Sequence, residues 1–245
     1  MVSIEKWIPK AEVPKQAPNL KVIFLGATSS GKTSLVEKLD LISKKERDQI
    51  GVKIPRTTVG VDVKFKGIKL QQESYFLTIC DFPGDEKHHL NTTTNFFRSA
   101  LGAFIVFDIN KRKTFEEVDQ WASHAKEKCG EDVILCLIAN KSDLRSKDQG
   151  LRQVGKLEIE EKYQEIGAAF YAETCAIDKD KDVTERTLWA LLRMIVSRHS
   201  DQSLLMHCPG SKLSSKENIS KRRKRDEQSG SCLRFSGCQG PEEEY

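Results

Sequence analysis

Gly26-Ala27-Thr28-Ser29-Ser30-Gly31-Lys32-Thr33 is the stretch on which the fold turns. Its spacing is G-x-x-x-x-G-K-[ST]. An apolar run, residues 20–25, precedes it, and the helix-like Leu35-Val36-Glu37-Lys38-Leu39 follows. A strand, a glycine loop and a helix in that order form a cradle for phosphate. The glycines let backbone N–H groups converge on phosphate oxygens, and the helix start adds partial positive charge. Lys32 can reach the β- and γ-phosphates as a point charge, and Thr33 offers its hydroxyl to Mg²⁺. The candidate phosphate-binding residues are Gly26, Ser29, Ser30, Gly31, Lys32, Thr33 and Ser34. Ordinary residue frequencies give a chance match on the order of one in a hundred in such a chain, before the strand–loop–helix context is required. By itself the motif specifies a nucleoside triphosphate without choosing between ATP and GTP.

Working outward, short apolar runs recur at residues 20–25, 76–80, 103–107, 133–139 and 168–172, with helix-like stretches between them. That alternation predicts βα units around a largely parallel sheet. The alternating Val61, Val63 and Phe65 predict a strand over residues 61–70, antiparallel to the next. Thr114 with Glu117 reads as a capping box, and Cys129-Gly130 as that helix's stop. Asp182 with Glu185 opens a helix whose Leu188, Leu191, Leu192 and Ile195 share a core-facing side. Residues 1–18, with three prolines and little apolar pattern, read as a flexible N-terminal arm. Residues 19–199 read as the folded domain and residues 200–245 as a disordered, charged tail.

Asn140-Lys141-Ser142-Asp143 stands at the end of the 133–139 run. An Asp there can accept hydrogen bonds from guanine N1–H and the 2-amino group. Adenine has no such donors and would leave the carboxylate unpaired. Glu173-Thr174-Cys175-Ala176 ends a further strand. With these motifs in order, the chain resembles the Ras superfamily of small GTPases, nearest its Rab branch. Asn140-Lys141-Ser142-Asp143 matches that family's NKxD motif and Glu173-Thr174-Cys175-Ala176 is similar to its ETSA motif. Thr57-Thr58-Val59-Gly60-Val61-Asp62 resembles switch I, and Asp81-Phe82-Pro83-Gly84 stands in the place of DTAG.

The resemblance implies a P-loop NTPase G domain: a mostly parallel six-stranded sheet with helices on both faces. It implies GTP or GDP as bound nucleotide, with Mg²⁺ held by Thr33, Thr58 and, through water, Asp81. The Gly84 N–H would sense the γ-phosphate. Asn140, Lys141, Asp143, Cys175 and Ala176 would surround guanine, with the Ala176 N–H meeting its carbonyl. Lys32, Thr58, Gly84 and position 85 would carry hydrolysis. Effector proteins would dock on residues 50–65 and 81–98, with an exchange factor and an activating protein as further partners.

Departures from the pattern carry their own expectations. Asp85 stands where the family has its water-orienting Gln. A carboxylate cannot donate to the phosphoryl group and brings negative charge toward it, so slow hydrolysis is expected. Pro83 replaces an Ala and removes an N–H. Between Lys32 and Thr58 the chain is longer than typical Rab proteins, and Lys44-Lys45-Glu46-Arg47-Asp48-Gln49 is charged. Ile177 stands where a Lys is usual. A long switch I segment and a missing Gln also resemble Roc domains, the second choice of subfamily. A static guanine-nucleotide-binding module without hydrolysis is the alternative function. An ATP-using phosphotransferase is disfavoured by Asn140 and Asp143.

Charge and composition bound the partners. Forty basic residues against 36 acidic give a net +4, which is no strong basic excess, so nucleic acid is not expected. No apolar run reaches the roughly 20 residues of a membrane span, and the N-terminus lacks a signal core. The seven scattered cysteines predict a reduced, cytoplasmic setting, with Cys80 and Cys136 as buried thiols. Lys221-Arg222-Arg223-Lys224-Arg225 is a basic cluster suited to an anionic membrane surface or nuclear import. The ending Pro241-Glu242-Glu243-Glu244-Tyr245 has no C-a-a-X box, so prenylation is not expected. Cys232 and Cys238 are candidate palmitoylation sites.

Overall fold

A computed structural model of the chain describes residues 5–39, 60–84, 94–145, 153–177 and 182–199. Among the described residues, seven strands form one sheet: β1 (Lys6–Ile8), β2 (Asn19–Leu25), β3 (Asp62–Leu70), β4 (Glu73–Asp81), β5 (Gly102–Asp108), β6 (Ile134–Asn140) and β7 (Phe170–Thr174). Their order is β1-β3-β4-β2-β5-β6-β7. The β2, β4, β5, β6 and β7 pairings are parallel, whereas β3 runs antiparallel to both β1 and β4. The expected antiparallel partnership of residues 61–70 with the next strand is therefore present.

The interior strands β5 and β6 are buried along their whole length, as a parallel sheet covered on both faces requires. Alternation within the strands divides the core. Leu20, Val22, Phe24, Phe104 and Val106 face one side, beneath α1 (Lys32–Lys38) and the long C-terminal helix Asp182–His199. Ile23, Leu25, Ala103, Ile105 and Phe107 face the other, against the helix Val118–Cys129. Numbered in chain order, the helices after α1 are α2 (Thr94–Phe97), α3 (Arg112–Glu116), α4 (Val118–Cys129), α5 (Lys156–Glu165) and α6 (Asp182–His199). Leu188, Leu191, Leu192 and Ile195 lie on the buried face of α6, as their spacing predicts.

Three details differ from expectation. The sheet has a seventh strand, because residues 5–13 are not a loose arm. β1 pairs with the edge of β3, Trp7 stacks on Trp189 at 5.0 Å between centroids, and Ile8 and Val13 are buried. Thr114 does not cap a helix. Its hydroxyl accepts the Asp108 N–H at 2.9 Å and donates to Lys111 O at 2.8 Å, so α3 starts earlier, at Arg112, and meets α4 at Glu117. Finally, α5 opens on a capping contact outside the expected signals: Glu158 Oε1 accepts the Gly155 N–H at 2.9 Å. The stop at Gly130, with φ 102°, stands as expected. Thr58, Asp85, the charged 44–49 stretch and the Lys221–Arg225 cluster lie outside the described residues.

Candidate nucleotide site

The parallel strands all end on one edge of the sheet. The register sets Phe24 of β2 beside Asp81 of β4, and Asp108 beside Asn140 beside Thr174. Because β2 has β4 on one side and β5 on the other, the loop leaving it opens at the switch point of the sheet, where α/β folds bind ligands.

Gly26 leaves β2 at φ +140°, and a Cβ there would lie 2.0 Å from Val106 O, so only glycine lets the loop cross β5 so closely. Ser29 and Gly31 both adopt positive φ, which curls the loop backbone. The Ser30 side chain is fully buried, and its oxygen has no hydrogen-bond partner among the described residues. Among the described residues, no side chain caps the first turn of α1. A buried hydroxyl in a glycine loop at a helix start fits a phosphate group. The Lys32 ammonium, buried at the loop's centre, donates to Gly26 O at 2.7 Å and Ala27 O at 3.0 Å. Burial lowers its pKa to about 8, with Asp81 and then Glu117 drawing it back up. Ser34, one turn into α1, is exposed.

Thr33 Oγ1 donates to Asp81 Oδ2 at 2.5 Å. Asp81 is 1% exposed and its Oδ1 has no hydrogen-bond partner among the described residues. Burial raises the Asp81 pKa to about 6, against the opposing Thr33 hydrogen bond and Lys32 charge. A buried carboxylate oxygen without a donor, beside a threonine hydroxyl, is a hard-oxygen pair that fits Mg²⁺. Gly84, three residues on, brings its backbone against the phosphate loop: a Cβ would stand 2.2 Å from Thr28 N. Phe82, stacked on Phe97 at 4.4 Å, anchors that approach.

On the other side, fully buried Asn140 binds the loops together. Its Nδ2 donates to Ser30 O at 2.8 Å, and its Oδ1 accepts from Thr174 Oγ1 at 3.1 Å. Lys141, at φ 65°, lays its ammonium across the phosphate loop to Ser29 O at 2.7 Å and Asp108 Oδ2 at 2.8 Å. Asp143 lies on the short turn Ser142–Arg145 and accepts from Cys175 Sγ at 2.9 Å. Cys175 is buried, whereas Ile177 is 82% exposed. The described members of the expected phosphate, metal and base sets thus converge on one edge. Sequence reasoning passed over Asp108, whose buried carboxylate orients Lys141, and Thr174, which orients Asn140. It also passed over Lys38, which donates to Cys175 O at 2.5 Å.

A glycine loop leaving β2 at the switch point of a mostly parallel sheet defines a fold of the α/β P-loop NTPase class. The Ras family model matches residues 21–196, and the chain belongs to the Ras family. It is similar to human Ras-related protein Rab-12, at 34% identity over 137 residues, 56% of this chain and 53% of that protein. Similarity also extends to Ras-related protein RABA4b of Arabidopsis thaliana (30% over 158 residues, 64% of this chain and 65% of that protein). Ras-related protein rab-11.1 of Caenorhabditis elegans is 29% identical over 158 residues, 64% of this chain and 69% of that protein. The chain lies near the Rab branch, and it spans about half the length of Rab-12. No described helix is long and apolar enough to cross a membrane.

Proposed function

We propose that the chain is a guanine-nucleotide-dependent switch that binds GTP and GDP with Mg²⁺, hydrolyses GTP slowly and recruits effector proteins through its switch segments. One observation carries this reading. The buried Lys32 ammonium, the Thr33–Asp81 pair with its orphaned oxygen, and the Asn140, Asp143 and Cys175 loops surround a single phosphate loop.

Lys32 neutralises the β- and γ-phosphates, while loop N–H groups and the Ser30 hydroxyl fill the remaining oxygens. Thr33 and, through water, Asp81 would hold Mg²⁺, with Thr58 completing the set in the triphosphate state, and the ion would supply positive charge against the phosphates. Asp143 reads guanine N1–H and the 2-amino group, and the Ala176 N–H meets the carbonyl. Gly84 lies against the phosphate loop, so loss of the γ-phosphate removes a contact beside it and relaxes the segment that follows. Family relationship supports a role in trafficking or signalling, with an exchange factor and an activating protein as partners. The setting is cytoplasmic, and Lys221–Arg225 suits a peripheral anionic membrane contact or nuclear import.

Asp85 favours a second reading, a binding module that holds GTP without turning it over. Single-turnover hydrolysis with Mg²⁺, run on the natural chain, Asp85→Gln and Lys32→Ala, separates the two. Slow phosphate release that rises about tenfold or more in Asp85→Gln supports the switch. Bound GTP that persists in both would support the static module. Lys32→Ala is expected to lose nucleotide; retention of GTP by that variant would overturn both readings.

A further inference from the structure

We propose that Lys38 is a positioning residue for guanine: its ammonium holds the Cys175 carbonyl and thereby aims the Ala176 N–H at the base. This inference rests on the reading of residues 140–143 and 173–176 as the guanine site. Lys38 Nζ donates to Cys175 O at 2.5 Å. That carbonyl and the Ala176 N–H belong to one peptide unit. In a planar trans peptide the two point in opposite directions, and the described residues contain no cis bond. A cation fixed on the oxygen therefore sets the line along which the N–H is presented. Charge on the carbonyl also polarises the amide and strengthens its N–H as a donor.

The surroundings make this contact matter. Thr174 is tied to Asn140 and the Cys175 thiol to Asp143, so both of those contacts run between the two base loops. Lys38 comes instead from the phosphate side. It is the last residue of α1, which begins at Lys32 and is fixed by buried Leu35 and Val36. The next residue, Ile177, is 82% exposed and contributes little packing. The side chain that holds this peptide thus stands on the same short helix as the lysine that meets the phosphates. Through α1, the two ends of the nucleotide are mechanically joined.

The test compares diphosphates that differ at the purine 6-position, by competition with a fluorescent GDP on the full chain. Inosine diphosphate keeps the 6-oxo group, and 6-thio-GDP replaces it with a weakly accepting sulfur. In Lys38→Met, GDP and inosine diphosphate are expected to weaken together, by about tenfold, and 6-thio-GDP by less than about threefold. Lys38→Arg should keep GDP binding within about threefold of the natural chain, since a guanidinium can still hold the carbonyl. Equal weakening of all three nucleotides would reduce Lys38 to general loop packing and overturn the inference, as would no weakening of any. A natural chain that binds no guanine nucleotide would instead overturn the guanine site itself.

Discussion

A methyl group added at position 26 would sit 2.0 Å from the carbonyl oxygen of Val106, at a φ of +140° that side chains rarely adopt. Gly26→Ala must therefore push the phosphate loop off β5, which costs about 2–3 kcal/mol of overpacking and strain and displaces the donors that meet phosphate. Gly130 makes the internal comparison, because its φ is also positive at +102° but nothing lies within 4 Å of an added Cβ. Gly130→Ala is expected to cost about 1 kcal/mol and leave GDP affinity unchanged, while Gly26→Ala loses both stability and binding. Thermal melts and GDP titrations on the two variants check this; matched losses of affinity would show that the close approach at Val106 is unimportant. The contrast also marks what a sequence discloses at this scale. Gly26, Lys32, Thr33, Asn140 and Asp143 were legible because their chemistry follows from residue type at fixed spacing. Asp108 and Lys38 were not, because an aspartate ending an apolar run and a lysine ending a helix have no function until Lys141 and Cys175 are brought to them.

At the scale of elements, the segment least legible in the sequence is the N-terminal strap. A three-residue strand has no periodicity to read, and its stability comes from residues far along the chain. Trp7 Nε1 donates to Glu185 Oε1 at 2.6 Å, and the same oxygen accepts Trp189 Nε1 at 3.1 Å. Arg193 meets Glu5 at 2.6 Å. Gly67 on β3 admits the strap, since a Cβ there would lie 2.5 Å from Val13 Cγ2 and 2.7 Å from Ile8 O. By contrast β2, β4, β5, β6 and β7 were legible from their apolar runs, and α6 from its stripe, because each buries a face that its own sequence prints. The Thr114 reading failed for a reason in the same class as the strap: the end of β5 claims a hydroxyl that local rules assign to a helix start. If the strap docks as one unit, Trp7→Ala and Gly67→Ala should each destabilise by about 2 kcal/mol. The double variant should then lose clearly less than the sum, because both release the same segment. Denaturant unfolding of the three variants measures it; full additivity would mean that Trp7 and Gly67 stabilise the domain independently.

For the whole molecule, the decisive feature is that strands β5 and β6 send alternate residues into both apolar clusters, so neither face can come apart while the other stays packed. Two thiols report on this. Cys136 is buried in the cluster under α6, and Cys80 in the cluster under α4. Each can react with iodoacetamide only when the sheet opens. Both are therefore expected to label at the same rate at pH 8, governed by one opening free energy. Nucleotide at a hundred times its Kd should slow both by about a hundredfold, since it binds only the closed form. Cys129 supplies a contrast: it packs at the edge of the α4 cluster but is only half-buried, at the helix's last residue, where fraying can expose it without opening the sheet. Burial, partly offset by Lys21, pushes its thiol up to about 12. Below that value the reactive thiolate gains about tenfold per pH unit, whereas an ordinary cysteine levels off just above about 8.5. Its labelling should thus climb without a plateau from pH 8 to 10 and respond little to nucleotide. Mass spectrometry of the labelled peptides separates the three positions. Protection of Cys136 alone by nucleotide, with Cys80 still reacting, would mean that the two faces of the sheet open separately and that binding energy reaches only the one beneath α1.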